Sequence, residues 1–392
     1  MYSNSANSPL AVIDLGNDCG QYINSFCITG EGTWIISVTT GHSRWGTTYT
    51  RRSIDRGRTW EDRVLVMEPD LLEPGHTIEM GQLLPLQDRI YQFHIQHTRV
   101  DTRFGRIRYT ISHDDGRAWE GPDGPGSMYS LQTPAYELSP DSDGWHLMAP
   151  GLTLDNGEWL LPLNISTDPV PLSEIRSELV FGISNNIFDV SDPADVRFEF
   201  FPGPPHGVHV PLESTPGASL GQEPQVVQLS DRRLFCVCRT GNGCLYYTLS
   251  DDLGRTWREA RPLRFRDGGD LMLHPNAPCP LAKISGGRYA LLFCNNDGTA
   301  FGGADPFDHL KNRNPVYVAV GRETGRADGQ PLRFSEPRLL CSIDGFMPEA
   351  GWRDLTYGFF IEDRGQFYHF CNAVWRRIQV NLVDPALLEW DG

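Results

Sequence analysis

Apolar and polar side chains alternate along this chain in short runs, and the runs come in pairs. Six times a stretch with a period of two is followed, across a tight turn, by a second one. The pairs are residues 22–28 with 33–38, 78–86 with 89–95, 146–154 with 158–164, 223–229 with 233–239, 277–284 with 289–294, and 355–361 with 366–372. Alternation of this kind turns one face of each run toward a core, as in a half-buried strand. The joints carry turn residues such as Asp155-Asn156-Gly157 and Ser285-Gly286-Gly287, which accept the backbone conformations of a hairpin. Few helical periodicities compete. The pattern predicts an all-β protein, with residues 11–15 supplying one further outer strand.

A second pattern repeats on top of the first. Ser53 to Trp60, Ser112 to Trp119 and Ser250 to Trp257 share the form Ser-x-Asp-x-Gly-x-[Thr/Ala]-Trp, and each follows an alternating run. Degenerate copies start at Ser184 and Gly321, so the five starts lie 59, 72, 66 and 71 residues apart. The physics of the segment is local. The Asp accepts backbone N–H groups, the Gly takes a conformation costly for other residues, and the Trp packs under the neighbouring strand. Such a segment staples two strands together and is structural rather than catalytic.

These segments resemble the Asp-box, or bacterial neuraminidase repeat. Over roughly residues 21–383 the chain resembles the sialidase-like six-bladed β-propeller superfamily. The resemblance implies one propeller domain spanning 1–392. Its blades would lie near 21–67, 76–132, 145–201, 223–265, 276–340 and 353–383, with 11–15 closing the last. It also implies a site on the face opposite the Asp boxes, where inner strands start and the next strands end.

The resemblance is closest in the fourth blade. There Glu223 would activate a nucleophile, and Arg239, at the far end of the same hairpin, would bind a substrate carboxylate or hydroxyl through its forked donors. Arg313, in Asn312-Arg313-Asn314, stands where a sialidase places another carboxylate-binding arginine. Three positions depart from the sialidase pattern. Tyr22 replaces the first arginine. The loop before the first box holds His42 and Arg44 but no carboxylate, leaving His42 as the candidate proton donor. Leu355 falls at the place of the nucleophilic tyrosine, and Tyr357, two residues on and on the same strand face, is the candidate substitute. Histidines and arginines gather in the same loops: His42, His76, His97 and His274, with Arg44, Arg99 and Arg353. With Asn276 and Asp354 they complete the set of candidate substrate-binding groups. Trp45, Trp145, Trp352 and Trp375 are further candidates for stacking on sugar rings. The loop 295–312 is long for a hairpin connection, and its Asp305 and Asp308 are too few to predict a metal; none is predicted, nor any cofactor.

Composition narrows the partners. Lys and Arg number 34 against 50 Asp and Glu, a formal charge of −16, which disfavours nucleic acid. No run of about 18 uncharged apolar residues predicts a membrane span. Only Lys283 and Lys311 are lysines, so cationic contacts are guanidinium ones, suited to carboxylates. Nine cysteines, five of them inside apolar runs (Cys27, Cys236, Cys238, Cys294 and Cys371), read as reduced, buried thiols. With a polar N-terminus this points to a cytoplasmic protein, a secreted mature form being the alternative. The oligomeric state is left open.

The function these readings favour is a sialidase-like glycoside hydrolase cleaving a terminal acidic or acid-linked sugar, with Glu223, Tyr357 and His42 in the chemistry. The first alternative is a lyase on uronate-containing glycans, such as rhamnose–glucuronate ones, with His42 or His76 moving the proton. The second is a glycan-binding propeller without catalysis.

Overall fold

A computed structural model describes residues 9–15, 22–40, 46–68, 71–72, 76–98, 106–134, 136, 144–167, 176–307, 311–326, 328–345, 351, 353–374 and 376–390. Among these residues the chain forms six sheets, antiparallel but for one short parallel pairing of Arg176–Ser177 with Ser219–Leu220, and a few single 3-10 turns, with no α-helix. Successive sheets touch in turn, through their inner strands except at the third blade, where second strands take part, and the sixth returns to the first. The result is a six-bladed β-propeller, and among the described residues no helix is long and apolar enough to cross a membrane.

The first blade runs outward through Tyr22–Ile28, Trp34–Thr39, Thr48–Ser53 and Val64–Met67. The fourth has the same order in Gln222–Gln228, Leu234–Arg239, Tyr246–Ser250 and Arg261–Pro262. The sixth is assembled from both ends of the chain. Gly358–Asp363, Gln366–Ala373 and Arg377–Val383 are completed by Ala11–Asp14, with Ala11 opposite Val380. A closed ring leaves no exposed inner edge, so this last pairing ties the ring shut.

Where strands differ from the alternation, the cause is visible. In the fifth blade the inner strand is Leu281–Ile284 rather than 277–284, because Pro278 and Pro280 offer no N–H to the ladder. In the third blade the inner strand is split into Gly144–His146 and Leu152–Thr153, both paired with Trp159–Ser166. Pro150 and Gly151 lie between the two pieces.

The core lies between blades. Trp34 is fully buried and meets Phe26, Tyr368 and Phe370 of its own and the sixth blade at 4.8–5.9 Å. Full burial of such a ring contributes roughly 2–3 kcal/mol. The Asp boxes hold the outer ends. Asp55 accepts from Ser53 Oγ at 2.9 Å, Thr59 N at 2.9 Å and Thr59 Oγ1 at 2.6 Å, while Trp60 Nε1 donates to Gly57 O at 3.1 Å. The third box repeats these bonds through Ser250, Asp252, Thr256 and Trp257. In all three boxes two consecutive residues take positive φ: Arg56 and Gly57, Asp115 and Gly116, Leu253 and Gly254. At Ser184 the hydroxyl–amide part of the box survives, with Ser184 Oγ donating to Asn186 Oδ1 at 3.2 Å. At Gly321 it does not: no hydroxyl is present to start the turn, and Val316–Glu323 continues as a strand.

Candidate active site

Antiparallel order decides which residues meet. An inner strand starts on one face of the propeller, the next strand ends there, and the Asp boxes follow third strands on the other face. Gln222 therefore lies opposite Arg239 in the fourth blade. Between Gln222 and Gln225 the register shifts by a bulge, and Glu223 within it has φ +51°. A left-handed glutamate is strained by roughly 1–2 kcal/mol. Its N–H is held by Asn164 Oδ1 at 3.0 Å, from the third blade. Bulges re-aim side chains, and this one turns the Glu223 carboxylate onto Arg239.

Arg239 Nη1 stands 3.0 Å from Glu223 Oε1, an ion pair whose angle falls outside hydrogen-bonding range. Its Nη2 and Nε donate instead to Gln222 Oε1 at 3.0 and 3.2 Å. Glu223 is buried and its Oε2 has no hydrogen-bond partner. Burial raises its pKa and Asp354 adds to this; Arg239 and Arg313 pull the other way without cancelling it. The result is a desolvated carboxyl poised to exchange a proton, the property a general base requires.

Arg313 approaches from the fifth blade. It is buried, with Nη1 3.1 Å from Asp354 Oδ2 and Nη2 and Nε donating to the Asn276 carbonyl at 2.6 and 3.2 Å. Burial works against its charge, but Asp354, Tyr357 and Glu223 outweigh it and keep the guanidinium charged. Its Cζ lies over the Tyr357 ring, 5.8 Å from the centroid, and the Tyr22 ring meets that of Tyr357 at 5.6 Å between centroids. Tyr357 is half-buried; burial and the neighbouring Glu223 raise its phenol pKa, against Arg239 and Arg313. Thus Glu223, Arg239, Arg313, Tyr357 and Tyr22 converge from the first, fourth, fifth and sixth blades.

The other predicted residues take different places. Asp354 is fully buried and also accepts from Thr356 N at 3.0 Å and Thr356 Oγ1 at 2.8 Å, so it holds Arg313. Asn276 acts through its carbonyl on the same arginine. His274 is buried with both ring nitrogens engaged: Nε2 with Ala277 O at 2.8 Å and Nδ1 with Cys294 N at 3.0 Å. Burial and the two arginines lower its pKa to about 3, so it is a neutral prop for the Asn276 loop. Arg353 pairs with Asp344 Oδ1 at 2.5 Å, away from the cluster's bonds. His42, Arg44 and Arg99, with Trp45, Trp352 and Trp375, lie outside the described residues. His76 and His97 lie on strands whose side chains at those positions are not described. Trp145 is buried against Tyr136 and Phe200 and is a core residue, not a sugar platform.

Sequence reasoning missed the polar ring that holds the inner strands in place. Gln82 Nε2 donates to Asn24 O at 2.8 Å and Asn24 Nδ2 to Thr39 Oγ1 at 2.5 Å. Asn164, which fixes Glu223, also bonds Ser177 Oγ at 3.2 Å. The only signal was polar residues at inward strand positions. Lower in the channel a cavity of about 390 Å³ lies among Phe26, Leu152, Gln225, Val227, Leu281 and Phe359. It contains none of the converging charges.

A six-bladed propeller stapled by Asp boxes has the fold of the sialidase-like class. In sequence, residues 49–338 match the BNR repeat-like domain, and the chain belongs to that family. No curated protein matches it. Among solved structures it resembles the NanB sialidase from Streptococcus pneumoniae at TM-score 0.62 and 12% identity, covering 96% of this chain and 70% of that one. It resembles the intramolecular trans-sialidase from Ruminococcus gnavus at TM-score 0.61 and 12% identity, covering 97% and 98%. A protein of unknown function from Dyadobacter fermentans is similar at TM-score 0.60 and 13% identity, covering 96% and 99%.

Proposed function

We propose that this protein is a glycoside hydrolase that cleaves a terminal acidic sugar, or a sugar linked to one. The observation that carries this reading is that Glu223 acts on the Tyr357 phenol and both feel the charges of Arg239 and Arg313. An acidic sugar brings its own carboxylate to the site, and a charged nucleophile would be repelled by it. A phenol is neutral until it reacts. In the proposed step Tyr357 Oη attacks the anomeric carbon while Glu223 accepts the phenolic proton. The glycosidic C–O bond breaks and His42, assigned from its place in the sequence, protonates the leaving oxygen. Water then attacks the anomeric carbon and gives a proton to His42, the bond to Tyr357 breaks, and Glu223 returns the proton to the phenolate. Two displacements return the starting anomeric configuration.

Arg239 and Arg313 are the carboxylate clamp in this reading. Arg313 spends three of its five N–H groups on Asn276 and Asp354, leaving two for a ligand. Tyr22, where an arginine stands in sialidases, offers an aromatic face beside Tyr357 instead of a third charge. The clamp is therefore weaker for a free carboxylate and more accommodating of an apolar sugar face.

The test is a panel of sialosides and rhamnose–glucuronate glycans, with reducing ends and ultraviolet absorbance read together. New reducing ends without absorbance support hydrolysis. Absorbance from an unsaturated uronate supports elimination and overturns the reading. Binding without turnover across the panel supports a glycan-binding propeller and overturns it as well.

A further inference from the structure

Away from the axis, the contact between the fifth and sixth blades holds a cluster that this chemistry does not use. Cys341 ends the strand Arg338–Cys341 of the fifth blade. His369 and Cys371 lie two residues apart on Gln366–Ala373 of the sixth, so their side chains share a face. The two Sγ atoms and a ring nitrogen of His369 all lie within 4.8 Å of one another, and all three residues are buried. His369 Nδ1 has no hydrogen-bond partner. Asn381, directly across the ladder from His369, is buried as well; its Nδ2 lies 3.8 Å from Cys371 Sγ and its Oδ1 is unpartnered. Two unsatisfied polar atoms in one buried pocket cost about 1–3 kcal/mol each. That cost has no return in the metal-free fold.

We propose that Cys341, His369 and Cys371 bind a thiophilic divalent cation, zinc by its chemistry, with the amide oxygen of Asn381 as fourth donor. Donors around tetrahedral zinc stand about 3.3–3.8 Å apart, given bonds of about 2.3 Å to sulfur and 2.0 Å to nitrogen. From within 4.8 Å the set closes by at most about 1 to 1.5 Å. Turning the Asn381 amide over exchanges its nitrogen and oxygen and points the oxygen at the sulfurs. Charge selects the ion. Two thiolates and a neutral imidazole carry −2, which a divalent ion cancels to zero among buried residues. A monovalent soft ion would leave a buried negative charge. On binding, two S–H bonds break, two metal–sulfur bonds form, and both protons pass to solvent. Nothing is oxidised or reduced. Cys294, the next thiol in this region, is not part of the set within 4.8 Å. The bound ion would cross-link the fifth blade to the sixth, the blade that both chain ends complete.

The full chain, expressed with zinc in the medium and purified without a metal-chelating step, is measured by elemental analysis. About one zinc per chain is expected. After exchange into cobalt, a sulfur-to-cobalt charge-transfer band in the near ultraviolet and the strong visible bands of tetrahedral cobalt are expected. Cys371→Ser should lose the charge-transfer intensity in large part. His369→Gln, with both thiolates kept, should retain that band with altered visible bands, and this second variant keeps the reading testable if the first does not fold. Less than about a tenth of an equivalent of metal with no cobalt–sulfur band overturns the proposal. So does a Cys341–Cys371 disulfide found by peptide mapping of the unreduced protein.

Discussion

Asp354→Ala isolates what holds the clamp. Arg313 and Asp354 are exposed by only 2% and 0%, and their 3.1 Å contact is the sole carboxylate bond of this arginine among the described residues. Removing the carboxylate leaves a buried guanidinium charge without its hydrogen-bonded counter-ion, with Glu223 acting on it only through space. Breaking one side of a buried pair costs about 3–5 kcal/mol. Unfolding entropy near 2.1 cal/mol/K per residue gives about 0.8 kcal/mol/K for 392 residues. The expected drop in Tm is therefore about 4–6 °C by calorimetry. The partner experiment replaces both charges at once, Arg313→Met with Asp354→Leu. An apolar pair of similar volume fills the space with no charge to satisfy, so Tm should return to within about 1–2 °C of the parent. A single-variant shift below about 1 °C would refute the reasoning, because the pair would then be solvated or replaced by another partner. A double variant as unstable as the single one would do the same.

Three further outcomes are expected. His94 and His274 are buried and neutral, with pKa values lowered from 6.5 to about 3. The unfolded chain binds those protons first, so stability is full above pH 6.5 and falls as pH drops toward 3. At pH 5 the two remove about 4 kcal/mol relative to pH 7, at about 1.36 kcal/mol per unit each. Glu223 works in the opposite direction, since its raised pKa lets the folded state take up a proton first. Urea titrations at pH 7 and pH 5 check this, and equal midpoints would contradict it. Gly57→Ala builds a methyl 2.9 Å from the Trp34 ring at φ +80°, so a loss of about 1–3 kcal/mol is expected by denaturant melting. Tyr357→Phe keeps the ring contacts with Tyr22 and Arg313 but removes the phenol. Turnover of the glycan found in the panel should fall on the order of 100-fold or more with little change in KM.

How much of this was legible in the sequence depends on the range of the interaction. The Asp boxes are local: Ser53, Asp55 and Gly57 find one another within a few residues, so their letters carry the geometry. Glu223 and Arg239 are joined by a hairpin whose turn is equally local, and they meet as the resemblance implies. Arg313 was placed by the same resemblance, but its dependence on Asp354, 41 residues away, was not. Asn164 supports Glu223 across 59 residues, from a different blade. No periodicity reports a contact between blades, and that is where most of the holding residues sit. Trp145 misled for a related reason: flanking loop residues suggested exposure, whereas its ring fills the space between Tyr136 and Phe200. His274 lies in the expected loop, but its fate was decided by Ala277 and Cys294, which bury it and use both nitrogens.

The central claim is that the axial cluster performs hydrolysis with Glu223 as its base. Initial rates of reducing-end release by the parent and by Glu223→Gln, on the glycan most readily cleaved in the panel, test it most directly. The amide keeps the shape and cannot accept the proton. A loss on the order of 10²–10⁴-fold in kcat with unchanged Tm is the predicted result. A rate within a few-fold of the parent would contradict the account and move the chemistry away from this carboxyl.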